Sequence, residues 1–63
     1  MTQKELSYVE DAIGHEENII KIINDSLNNL ENEELISFIQ NEVNNHTQMK
    51  EKLMNLLKEK ANE

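Results

Sequence analysis

A chain of 63 residues with a formal net charge of −7, no cysteine, no proline and a single glycine is small, acidic and compositionally suited to helix. That length supports one domain at most, close to the lower limit at which a core stabilises itself, and without cysteine no disulfide or thiolate–metal framework can staple it. The acidic balance, with no arginine, lacks the basic face that phosphate binding needs and disfavours an anionic membrane surface, so neither nucleic acid nor membrane is expected as a partner.

The chain opens with Thr2-x-x-Glu5 immediately before Leu6, the pattern of a capping box, in which hydroxyl and carboxylate satisfy reciprocal backbone N–H groups. From there Leu6, Val9, Ile13, Glu16, Ile20, Ile23, Leu27 and Leu30 alternate spacings of three and four, the seam of a packed helix. The spacing predicts a first helix over about 3–30. No apolar run approaches the ~20 residues that span a bilayer, and no basic-then-apolar leader opens the chain, which points to an intracellular, cytoplasmic protein.

Asn28, Asn29, Glu31 and Asn32 break the pattern. Asn32 suits an N-cap, and Glu33 and Glu34 place negative charge on the first turn of a second helix, expected over about 33–60. Its seam is expected at Leu35, Ile39, Glu42, His46, Met49, Leu53 and Leu56, with Lys58 and Lys60 favourably placed in the last turn. So short a connection makes the two helices antiparallel. Matching the seams sets Leu27 opposite Ile39, Ile20 opposite His46 and Glu16 opposite Met49, which leaves Glu16 about one turn, ~6 Å, from the level of His46.

The apolar stripe is wider than one partner helix can cover. Ala12, Ile19 and Ile22 flank the first seam, and Ile36, Phe38, Val43, Met54 and Leu57 flank the second. A bundle-facing helix carries this extra width, whereas a two-stranded coiled coil does not. The fold class expected for 1–63 is therefore all-α: one domain, an antiparallel hairpin that dimerises into a ferritin-like four-helix bundle. Its interface should draw on Ile13, Ile19, Ile20, Ile23, Leu27, Phe38, Ile39, Val43, Met49, Leu53 and Leu56. Packing on a different protein is the alternative.

Three polar residues interrupt the seams: Glu16, Glu42 and His46. An isolated buried carboxylate is costly, so Glu16 should be paired, protonated, metal-bound or turned to water. Bundles that hold two irons draw Glu and Glu-x-x-His from facing helices, and two copies of Glu16, Glu42 and His46 would supply a similar ligand stock. Glu42 and His46, however, are four apart rather than three, and Glu42 lies about two turns from the level of Glu16. A plain Glu16–His46 hydrogen bond that fixes register is the stronger reading. No cofactor is required, and iron or zinc is the metal to consider. His15 reads as a solvated surface histidine, and Met49 and Met54 as core gap-fillers. Nothing resembles a phosphate loop, a cysteine nucleophile or a serine triad, so an enzyme is not expected.

Tyr8-Val9-Glu10-Asp11-Ala12-Ile13-Gly14-His15-Glu16, then Asn32-Glu33-Glu34-Leu35 at the break and His46 in the second helix, resemble the spore coat protein F family. Those are small ferritin-like proteins of spore-forming Firmicutes. This chain has Glu33 where members often have proline, and Met49 and Leu53 where aromatics are common after the histidine. The resemblance implies a ferritin-like bundle and association with spores. Three functions follow as expectations: a homodimeric structural or interaction module, a di-iron-type metal binder using Glu16 and His46, and an acidic helical regulator that docks on another protein.

Overall fold

The computed structural model describes residues 1–61, and the last two residues of the expected domain lie outside the described residues. Two helices account for it, α1 over Gln3–Leu27 and α2 over Glu33–Ala61. They pack side by side as a rod whose Cα extents are 47 × 14 × 11 Å. Contacts such as Glu17 with Lys50, near mid-length, and Tyr8 with Leu56 lining one groove towards the free ends make the pair antiparallel.

The start of α1 follows directly from its sequence. Thr2 is the N-cap: its Oγ1 accepts from the Glu5 N–H at 3.0 Å, and its own N–H donates to Glu5 Oε1 at 2.8 Å. Two donors that the helix leaves unsatisfied are thereby closed. The backbone hydrogen bond from Thr2, reinforced by its side chain, holds the Glu5 carboxyl below its ordinary pKa.

The end of α1 comes earlier than the periodicity predicts. Leu30 carries the heptad forward but lies in the connection, and the helix stops at Leu27. Asn28 and Asn29 are poor helix formers, and the last turn has no basic residue to offset the negative end of the dipole while Asp25 adds to it. The chain tightens instead. Asn28 N–H reaches Asp25 O at 3.3 Å, and Asn29 N–H reaches Ser26 O at 3.1 Å. Ser26 Oγ donates to Ile23 O at 2.6 Å, a back-bond that competes with helix continuation. Asn32 then restarts the chain, its Oδ1 accepting from Leu35 N–H at 3.0 Å. Glu33 and Glu34 occupy the first turn of α2, and Lys58 and Lys60 the last.

The seam of α1 is as expected, with Leu6, Val9, Ile13, Glu16, Ile20, Ile23 and Leu27 half-buried against α2. On α2 the seam is rotated. Ile39, His46 and Leu53 face α1, but their companions are Ile36, Val43, Lys50 and Leu57, while Leu35, Met49 and Leu56 are exposed. Both sets satisfy a three–four heptad through Ile39, His46 and Leu53. The choice is electrostatic. The expected phase would bury the Glu42 carboxylate in the apolar seam at the level of Ile23, about two turns from Glu16. The observed phase brings Val43 inward and moves Glu42 to the rim, where its side chain is 37% exposed. Lys50 takes the next position, laying its stem along the seam and pairing with Glu17 at 3.5 Å.

No described residue, apolar or polar, is fully buried. Tyr8 is 62% exposed, Ile22 59% and Phe38 58%. The accessible surface is 5081 Å², whereas a compact globule of 7.4 kDa would show about 4,200 Å².

Candidate functional site

The three polar seam residues meet at mid-length. Glu16 comes from the middle of α1, and Glu42 and His46 from consecutive turns of α2, one above the other on one side of that helix. His46 Nδ1 lies 2.6 Å from Glu16 Oε2, with side chains 30% and 16% exposed. His46 Nε2 lies 3.8 Å from Glu42 Oε2. The levels of Glu16 and His46 differ by about a turn in the expected pairing, and the reach of the two side chains closes that gap.

The short Glu16 contact settles how the ring is used. A carboxylate accepts, so Nδ1 carries the hydrogen, and in the neutral ring Nε2 then holds a lone pair. Glu16 orients the ring, and as an ionised acceptor it favours the tautomer with hydrogen on Nδ1. The remaining nitrogen is aimed along the rim towards the Glu42 carboxylate, with the two donors close but beyond direct hydrogen-bonding distance. Thr47 beside them is satisfied internally, its Oγ1 donating to Val43 O at 2.7 Å. Among the described residues, no group of three or more His, Asp or Glu within the single chain is arranged to hold a metal ion.

Around this polar belt the two flanks of the hairpin differ. Tyr8 and Leu56 line one groove between the helices; Ile13 and Met54 line another. At 3.6 residues per turn, Ala12, Ile19 and Ile22 follow Tyr8 on the first side, and Leu35, Phe38, Glu42 and Met49 follow Leu56. That flank is a mainly apolar face, with exposed His15 between Tyr8 and Ile22 and with Glu42 midway along its length at the rim that borders the seam. The opposite flank carries Glu10, Glu17, Asn24 and Gln40, with Lys50 paired across the helices. His15 is exposed, as its position beside the seam suggests. Gly14 points away from α2, and a Cβ there would meet nothing within 4 Å.

Of the residues expected at an interface, Ile13, Ile19, Ile20, Ile23, Leu27, Ile39, Val43 and Leu53 are half-buried between the helices, while Phe38, Met49 and Leu56 stand exposed. Sequence reasoning missed Lys50 as a seam residue. A basic residue at the heptad position between Val43 and Leu57, with Glu17 one residue after Glu16, is the signal that would have found it. No described helix is long and apolar enough to cross a membrane. Compared with protein-family models, curated proteins and solved structures, the chain matches none of them.

Proposed function

We propose that this chain is a structural or interaction module that works as a homodimer, two hairpins forming a ferritin-like four-helix bundle. The observation that carries this reading is the apolar flank from Tyr8 and Ile22 to Phe38 and Leu56, exposed on a chain with no fully buried described residue. The surface in excess of a compact globule is roughly 900 Å² per chain, close to the ~800 Å² each partner buries in a standard interface. Covering it with a second copy gives both hairpins the core that neither has alone, and twofold self-association is the commonest way for a small chain to do so.

The test is sedimentation equilibrium with thermal unfolding over a hundredfold range of protein concentration. A dimer mass and a midpoint that rises with concentration are expected, because association stabilises by mass action. A monomer mass with a fixed midpoint sinks the dimer and favours an acidic hairpin that docks on another protein. Membership of the spore coat protein F-like family is part of the same proposal, supported by the Tyr8–Glu16 segment and His46. Synthesis confined to sporulating cells is the outcome that agrees with it, and equal abundance in vegetative growth is the one that does not.

A further inference from the structure

We propose that Glu42 and His46 are half of a divalent transition-metal site, completed by Glu42 and His46 of a second copy in an antiparallel dimer. The proposal rests on the dimer reading above and adds to it an orientation, a ligand set and a stoichiometry.

The ligand chemistry comes from the geometry of one ring. With Nδ1 donating to Glu16 at 2.6 Å, a neutral His46 ring carries its lone pair on Nε2, 3.8 Å from a Glu42 carboxylate oxygen. Two electron-rich donors facing each other are balanced by a proton or by a cation between them. Tetrahedral zinc with bonds of 2.0–2.1 Å spaces its donors about 3.4 Å apart, so the observed separation needs only a small closure. A histidine and a second ligand at i and i+4 share one face of a helix, which is the spacing two donors need to hold one ion. Glu16 then has a different role from its neighbours. It is a positioning residue that orients the ring and strengthens Nε2 as a donor, an arrangement common behind metal-bound histidines. Its carboxylate is committed to His46 and is not needed as a ligand.

One chain offers two such donors, and among the described residues no larger group lies in one chain. A second copy supplies the other two because of where the pair lies. Glu42 and His46 are near mid-length of α2, at the rim of the exposed apolar flank. Face-to-face packing of that flank requires a twofold axis in the interface plane. An axis crossing the rod at mid-length sets α2 antiparallel to its copy and brings mid-helix residues opposite themselves. An axis along the rod would stack the two connections, setting Glu31, Glu33 and Glu34 against their own copies. The crossing axis instead sets the two acidic connections at opposite ends of the assembly. Charge therefore selects the orientation that joins the two Glu42–His46 pairs.

The experiment titrates zinc chloride into the full chain after chelator treatment and dialysis. Binding is followed by calorimetry, assembly by sedimentation and helix content by far-UV circular dichroism. The expected result is one zinc per two chains and a raised melting temperature. Glu42→Ala and His46→Ala should each abolish the uptake while remaining helical and dimeric in chelator. Glu16→Gln should keep the stoichiometry and weaken zinc affinity about 10–100-fold, an effect on affinity alone that a merely structural role would not give. His15→Ala should leave uptake unchanged, and loss of zinc in that variant overturns the assignment. A wild-type dimer that takes up no zinc overturns the metal site and leaves the dimer standing. A monomer that binds one zinc per chain overturns the shared site, and a monomer without zinc overturns the dimer as well.

Discussion

The two flanks of the hairpin are built from the same two helices and end in opposite states. On the Glu17–Lys50 flank the seam is closed by a lysine stem and an ion pair, and beyond it polar residues such as Asn24 and Gln40 face water, with Met54 exposed towards the free ends. On the Tyr8–Leu56 flank the seam is bordered by half-buried Ile19 and by Ile22, Phe38 and Met49, which water covers in the single chain. Charged and apolar side chains thus divide the rod lengthwise, and one half of its circumference is finished while the other is not. In a chain near the lower size limit for folding, that asymmetry links stability to association.

The largest expected effect comes from charging the unfinished flank. Phe38→Asp places a carboxylate where the second copy would bury it, and Phe38 makes little contact with α1, so the hairpin itself is spared. Dimer affinity should fall at least a hundredfold, about 3 kcal/mol, as read by sedimentation. Asn24→Asp on the finished flank should stay within about 0.5 kcal/mol of the parent by thermal unfolding. Equal effects from the two substitutions would erase the distinction between the flanks.

A second prediction probes the polar belt between them, measured in chelator so that only the protein contact is tested. Glu16→Leu or His46→Leu alone leaves a partner without its hydrogen bond and should destabilise by about 1–3 kcal/mol. The double leucine variant continues both heptads and should be neutral or more stable. A double variant as unstable as the sum of the singles would show that the belt supports folding in some way other than mutual pairing.

Gly14→Ala sharpens the comparison from outside. The position is helical, exposed and open around its Cβ, so alanine should stabilise by about 0.5–1 kcal/mol through its higher helix propensity. Destabilisation would mean that another chain packs on the back of α1, contrary to the proposed face. The smallest effect is at the helix start. Because the Thr2 hydrogen bonds lower the Glu5 pKa in the folded state, the stability they contribute is complete above the ordinary glutamate range. It is lost as the pH falls through the lowered value. Amide exchange in the first turn of α1 should therefore quicken in acid, and Glu5→Gln should flatten that dependence.

Local chemistry was legible in the sequence because each of its signals needs only near neighbours. The Thr2–Glu5 box, the Asn32 cap, the two helices and the α1 seam all arise from spacings within a few residues. The early stop at Leu27 was only partly legible, since the heptad runs on to Leu30 while Asn28, Asn29 and an uncompensated dipole end the helix. The phase of α2 was not legible from its own spacing. Ile39, His46 and Leu53 belong equally to two heptads, and no local signal prefers one. Only packing against α1 decides, because Glu16 takes the imidazole of His46 and Val43 fills the apolar seam where a carboxylate would be costly. That one rotation sends Leu35, Met49 and Leu56 outward, builds the apolar flank, and sets Glu42 at its rim beside the free nitrogen of His46.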